Sequence, residues 1–172
     1  MKQRRIEEED LGPMKLIFNY ENVFYSFFYD DISGCIHRSR EYAMNYVYSG
    51  EMILDNGKQQ IHVGKGECVY IPRDHHITMY KRTFNGERYC GIFLNFTRNF
   101  LREMYAKFGQ CKIPADTSKL KPEVIKLPKT AEITSLFASL TPFFDPEVKP
   151  RDDFMHLKLQ EGLLALLHID GR

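Results

Sequence analysis

The chain of 172 residues contains no tryptophan, only four cysteines and almost no net charge. With 24 basic against 23 acidic residues the formal charge is +1, which argues against a broad basic face that grips nucleic acid. Cys35, Cys68, Cys90 and Cys111 stand far apart, with no C-x-x-C and no histidine at zinc-finger spacing. Cys68 and Cys90 lie inside apolar, strand-like runs and are expected to be buried thiols in a reducing cytosol. The leading MKQRRIEEEDLG has no apolar segment of the secretory kind, and no uninterrupted apolar run approaches a membrane span. A soluble, cytoplasmic protein is expected. G-x-S-x-G, the P-loop and G-x-G-x-x-G are all missing, which removes the commonest nucleophile and nucleotide signatures.

What is present is mostly extended chain. The length suits one domain, or one domain with a helical appendage, that buries a core without disulfides. Residues 1–13 read as a charged leader. From Tyr46 to Pro72 three extended runs are separated by glycine-bearing breaks, at Asn56-Gly57 and at Gly64-Lys65-Gly66. Asn56-Gly57 predicts a two-residue type I′ hairpin, because both residues tolerate positive φ. The three runs predict a tight meander, the nucleus of a sandwich or small barrel. Strands are also expected on both sides of Glu21-Asn22, over Cys35–His37, over His76–Thr83 and over Arg88–Phe96, with a second Asn-Gly turn at Asn85-Gly86. Six to eight such strands suit a barrel.

The periodicity then changes. Thr97 caps a helix carrying Phe100, Leu101, Met104, Tyr105 and Phe108 on one face, with Gly109 as its stop. Thr130 caps another, with Ile133, Leu136, Phe137 and Leu140 at i, i+3, i+4, i+7 and Pro142 at its end. A last, leucine-dense helix is predicted over about 152–168. Strands followed by helices indicate an α+β protein. Expected boundaries are a barrel over 14–96 and a helical segment over 97–172.

Two stripes run along the last helix. Met155, Leu159, Leu163 and Leu166 form an aliphatic one. Phe154, Leu157, Glu161, Leu164 and His168, flanked by Lys158 and Ala165, form a mixed one. One apolar stripe is enough to hold a helix on its own barrel. A second stripe with charges suits a partner helix, so Phe154, Leu157, Lys158, Glu161, Leu164 and Ala165 are the candidate dimer interface. The alternative is that both faces are buried within one chain. The 13 phenylalanines and 10 tyrosines also admit two readings, a filled core or a small-molecule pocket. Strand parity puts His37, Asn45, Val47, Ile77 and Met79 on the inside as the candidate pocket, together with Ala43.

Across about residues 35–96 the sequence resembles the cupin superfamily, whose enzymes hold a metal inside such a barrel. Aligned on Gly50, the positions of the first metal-binding motif fall at His37, Ser39 and Ala43; counted from Pro72, the later histidine falls at Ile77, with Asp74 where a glycine would stand. Only His37 matches, and one imidazole does not hold a catalytic metal. No catalytic residue, metal or cofactor is therefore expected, and His75 and His76 read as surface or turn residues. YVYSGEMIL, GKGECVYIPRDHHI, NFLREMYAKFG and FMHLKLQEGLLALL, in that order, resemble the N-terminal regulatory domain of an AraC-type transcriptional activator, most of all the branch that activates type III secretion genes. The resemblance implies a metal-free cupin-like β-barrel, or jelly roll, followed by helices that form a homodimer. It implies a small-molecule effector or a regulatory protein as partner, and DNA binding only through a C-terminal helix-turn-helix domain that is not in this chain. The competing reading is a small metal-dependent cupin enzyme, an isomerase or dioxygenase.

Overall fold

The computed structural model describes residues 14–28, 32–38, 40–108 and 123–169, with side chains over 18–25, 40–107 and 123–169. The described chain opens with β1 (Met14–Tyr20), β2 (Val23–Phe28), β3 (Ile32–Arg38), β4 (Tyr42–Ser49), β5 (Glu51–Asp55), β6 (Gln60–Val63), β7 (Cys68–Ile71), β8 (His76–Arg82) and β9 (Cys90–Phe96). Then follow α1 (Arg98–Phe108), the short β10 (Ile125–Lys126), α2 (Ala131–Leu140), a 3-10 turn (Thr141–Phe144) and α3 (Asp152–Ile169). The strands pair as two sheets, one ordered β1-β2-β9-β4-β7-β10 and the other β3-β8-β5-β6. All recorded pairings are antiparallel. This is the sheet-rich, cupin-like barrel followed by helices that the sequence implied.

The expected meander is corrected in detail. Only β5 and β6 are paired neighbours; β4 and β7 pair with each other in the opposite sheet. Gly50 is the corner at which the chain leaves the larger sheet. Its φ is +70°, and a Cβ there would lie 2.5 Å from the Tyr89 Cα and 2.8 Å from the Arg82 carbonyl oxygen. The turn at Gly64–Glu67 brings the chain back, and Val47 and Gly66 hydrogen-bond across it.

The type I′ turn expected at Asn56-Gly57 is not formed there; the geometry appears instead at Asn85-Gly86, expected only as a second Asn-Gly turn. At Asn85-Gly86 both residues have positive φ, 51° and 76°, and Phe84 and Glu87 exchange backbone hydrogen bonds. At Asn56-Gly57 only the glycine has positive φ, and the loop spans Asn56–Gln59 between the paired Asp55 and Gln60. There the Asn56 side chain accepts from the Lys58 and Gln59 amides at 2.9 Å each, so it closes the loop as a cap.

The helices cover the outer face of the six-stranded sheet. Thr97 and Thr130 cap α1 and α2, each accepting a backbone N–H three residues on at 3.2 Å. Ile133, Leu136, Phe137 and Leu140 are buried as predicted. Phe100 and Met104 of α1 are buried too, whereas Tyr105 is exposed. Pro142 does not end the chain's helical course at once: the 3-10 turn continues and drives Phe144 onto Tyr25, with ring centroids 3.6 Å apart. Tyr48 donates to the Phe137 carbonyl of α2 at 2.6 Å, and the Tyr20 hydroxyl bonds Asp152 at the start of α3. Gly109 and Cys111 lie outside the described residues.

The six-stranded sheet therefore has a core on each side. One, between sheet and helices, holds Met44, Tyr46, Ile92, Leu94 and Phe96 with the helix residues. The other, between the two sheets, holds Ala43, Val47, Met52, Leu54, Ile77, Met79, Tyr89 and Phe93. Hence β4 is buried over Ala43–Val47 without alternation. That pattern belongs to a strand covered on both faces.

Candidate pocket and helical face

Parity along β4 sends Ala43, Asn45 and Val47 into the space between the sheets, and parity along β8 sends Ile77, Met79 and Lys81 to meet them. The structure brings Val47, Ile77 and Met79 into one apolar cluster. His37 stands opposite Ile77 in the β3–β8 register, and its side chain lies outside those described. Asn45 is 0% exposed, and neither its Nδ2 nor its Oδ1 has a hydrogen-bond partner. It stands opposite Phe93 on β9 and Val69 on β7. An amide buried without partners costs about 1–3 kcal/mol.

Lys81 is a residue the sequence reading passed over. It is 3% exposed, and its Nζ lies 5.2 Å from the centroid of the Tyr89 ring and 5.5 Å from that of Phe93. Cation–π contact of this kind holds an ammonium against aromatic faces in a desolvated place. Tyr89 is fully buried, with its hydroxyl 3.9 Å from the Met52 sulfur. Phe93 thus borders both Asn45 and Lys81. The signal was in the sequence: Lys81 continues the alternation of Ile77 and Met79.

Metal chemistry does not fit this interior. Ala43 and Ile77, at positions where ligands would stand, are packed into the apolar cluster. Among the described residues no group of three or more His, Cys, Asp or Glu side chains is placed to share an ion. His75 Nδ1 lies 3.0 Å from the Arg73 carbonyl oxygen, and His76 is exposed. Burial pushes the Cys68 and Cys90 thiols upward from their ordinary range, so neither is an activated nucleophile. On the outside of the smaller sheet, Glu51 is held by Arg82 Nε at 2.6 Å and His62 Nδ1 at 3.0 Å. Burial opposes its ionisation, but the hydrogen bonds from His62 and Arg82 prevail and its carboxyl titrates below the ordinary range.

The second candidate is the outer face of α3. Met155, Leu159, Gly162 and Ala165 are the buried stripe. A Cβ on Gly162 would sit 2.6 Å from Leu94 Cδ2, 3.3 Å from Phe96 Cζ and 3.4 Å from Leu136 Cδ2, so the missing side chain lets the helix lie directly on β9. Opposite that stripe, Phe154 is 51% and Leu157 57% exposed. Lys158 and Glu161 are half-buried and paired at 3.4 Å, and Leu164 is half-buried. Among the described residues, Phe154 and Leu157 are therefore exposed on the side of α3 away from its buried stripe, with Lys158, Glu161 and Leu164 half-buried. Ala165 is corrected: it is 5% exposed and packs in the core between helices and sheet, at the edge of the mixed stripe. Leu167, also exposed, was missed because it falls between the two stripes.

A family model described as the ExsA N-terminal regulatory domain matches residues 42–172. No curated protein matches the chain. Among solved structures, an apo single-substitution variant of ToxT from Vibrio cholerae strain SCE256 is similar over 87% of this chain and 56% of its own, with TM-score 0.61 and 8% identity. ToxT from Vibrio cholerae O395 bound to (E)-4-(8-methylnaphthalen-1-yl)but-3-enoic acid is similar over 90% of this chain and 56% of its own, with TM-score 0.55 and 12% identity. At these identities the likeness is one of fold. The chain spans about half the length of ToxT.

Proposed function

The chain belongs to the family of ExsA N-terminal regulatory domains, and from that premise we propose how it regulates: as the effector-sensing and dimerising part of an AraC-type transcriptional activator. The face of α3 that the described residues leave exposed carries this reading. Phe154 and Leu157 expose apolar surface opposite the stripe that already anchors the helix, and a monomer gains nothing from that. An isologous contact through α3 would join two chains and raise the effective concentration of the DNA-reading domains attached to them. DNA binding would belong to a helix-turn-helix domain outside this sequence.

The effector is proposed to be a small molecule held between the sheets or a regulatory protein. ToxT is bound to an apolar carboxylic acid, which supports the small-molecule form for this chain. No catalysis is proposed, since the inward positions where cupin enzymes place metal ligands carry Ala43 and Ile77 here. No helix among the described residues is long and apolar enough to cross a membrane; a cytoplasmic location is part of the proposal.

Sedimentation of the purified chain and of Leu157→Glu tests the helical contact. The expected result is a dimer for the parent and at least a tenfold weaker association for the variant, at unchanged melting temperature. If the parent dimerises and Leu157→Glu does so equally well, α3 is not the interface.

A further inference from the structure

We propose that the rim formed by the exposed side of α1 and the start of β4 is the docking surface for an acidic segment of a regulatory protein. The inference rests on the regulatory reading above, in its protein-partner form, and gives that partner a chemistry and a place.

The side chains of α1 go three ways. Phe100 and Met104 are buried. Glu103, the one carboxylate of the helix, meets His156 of α3 at 3.2 Å, and Lys107 donates to Gln160 at 3.1 Å. Arg98, Arg102 and Tyr105 recur at i, i+4 and i+7 on the side opposite the buried pair, and all three are exposed. Tyr42 extends this surface onto the sheet. It stands opposite Phe96 in the β4–β9 register, and the Phe96 ring stacks on Phe100 of α1 at 5.9 Å. Residues opposed across two strands share a face, so Tyr42 lies on the side that carries the helix. It is 36% exposed and stacked on Tyr70 at 6.3 Å. Arg40, also exposed, precedes Tyr42 by two residues as Arg98 follows Phe96 by two, so both stand at the same end of the sheet.

Elsewhere the cations are matched: Lys65 with Glu87, Arg73 with Asp74, Arg82 with Glu51 and Lys126 with Glu67. Among the described residues Arg40, Arg98 and Arg102 have no ion-pair partner, not even the neighbouring Glu41. Like charges gathered in this way repel one another, and an anionic partner relieves that. The planar guanidinium takes a carboxylate through two parallel hydrogen bonds. Tyrosine and arginine together are the side chains that protein interfaces concentrate. Nucleic acid fits the rim less well. Three arginines on a chain of formal charge +1 make a narrow footprint for a phosphate backbone. Moreover, Glu103 and Lys107 meet His156 and Gln160 in that order, so α1 and α3 run in the same direction. The Arg98 end of α1 therefore lies toward Asp152, and a DNA-reading domain following α3 would begin about 25 Å away.

The test is fluorescence anisotropy of the purified chain with labelled peptides built of Glu-Glu-Leu, Gln-Gln-Leu or Lys-Lys-Leu repeats, and with a labelled DNA duplex of mixed sequence. The glutamate peptide should bind, the glutamine peptide at least tenfold more weakly and the lysine peptide not at all. The double variant Arg98→Gln, Arg102→Gln should weaken the glutamate peptide at least tenfold and melt no lower than the parent, because both side chains are exposed. Lys65→Gln, in the turn at the other end of β4 and matched by Glu87, should bind as the parent does. Equal binding of the glutamate and glutamine peptides, a double variant within twofold of the parent, or equal weakening by Lys65→Gln each overturns the proposal. So does a duplex bound more tightly than the glutamate peptide and lost in the double variant, which would make the rim a nucleic-acid surface. The double variant should also sediment as the parent does; a changed association state would assign the rim to a second copy and overturn the proposal. Failure of the glutamate peptide beside a dimer that Leu157→Glu weakens strikes this inference alone. A dimer indifferent to Leu157→Glu strikes the helical contact alone.

Discussion

Replacing Gly162 by alanine opposes two effects of known sign. In the middle of a helix the exchange of glycine for alanine gains about 1 kcal/mol from propensity. Here the added methyl would arrive 2.6 Å from Leu94 Cδ2, with Phe96 Cζ and Leu136 Cδ2 closing the other sides at 3.3 and 3.4 Å. A leucine methyl is the movable end of a side chain, but Leu94 and Leu136 are fully buried, where close packing resists a shift. Overpacking of this kind costs about 1–3 kcal/mol. The net expectation is a loss of about 1 kcal/mol, read as a fall in melting temperature of about 2–4 °C for a chain of this size. Gly162→Val adds a branched side chain to the same place and should cost about 3 kcal/mol or more. Trimming the obstacle provides the check: Leu94→Ala alone should cost about 2–5 kcal/mol, but paired with Gly162→Ala it should cost less than the sum, with a coupling of about 1 kcal/mol. If Gly162→Ala melts higher than the parent, or the two substitutions are additive, α3 does not rest on β9 through Gly162.

Two further outcomes follow from the corners and the ion network. Glu51→Gln should lower stability at neutral pH by about 1–3 kcal/mol. Since the folded-state carboxyl of Glu51 is depressed, its contribution is complete above the ordinary glutamate value and is lost as pH falls through the lower folded value. The melting curves of parent and variant should therefore converge in acid, and a gap that persists or grows there refutes the assignment. Gly50→Ala should abolish soluble folded protein, because positive φ is joined to backbone atoms at 2.5–2.8 Å, whereas Gly57→Ala, with open space around it, should cost only about 1–2 kcal/mol. Equal melting temperatures for the two would show that Gly50 is not a packed corner.

Short-range grammar made much of this legible. Thr97 and Thr130 announce their helices because a hydroxyl before an apolar-periodic run has a geometric job that nothing else in the loop does. Parity placed Val47, Ile77 and Met79 together because a strand has only two sides. The losses came where a local rule met a tertiary decision. Asn56-Gly57 and Asn85-Gly86 are the same dipeptide, yet only the second forms the two-residue turn. The first lies in a loop closed by the Gly57, Lys58 and Gln59 amides, which donate to the Asp55 and Asn56 side-chain oxygens. No run of residues says that Gly50 sends the chain into another sheet, since the contacts that require it come from Arg82 and Tyr89, far along the sequence. Lys81 drew no notice in the sequence, and only the assembled barrel shows the Tyr89 and Phe93 rings beside it. Ala165 looked like part of an open stripe because α3 was counted as a cylinder in isolation, before β9 and α2 took up their side of it.

Consider finally β9 as a partition. Phe93 looks into the space that holds Asn45 and Lys81, and the next residue, Leu94, meets α3 at Gly162. The core between the sheets and the core beneath the outer helix are thus separated by the thickness of one strand. Both residues are embedded in packed surroundings that yield little and pass displacement on. The wall is thin in the way a drumhead is thin: whatever presses on one side is registered on the other without a relay of intervening parts.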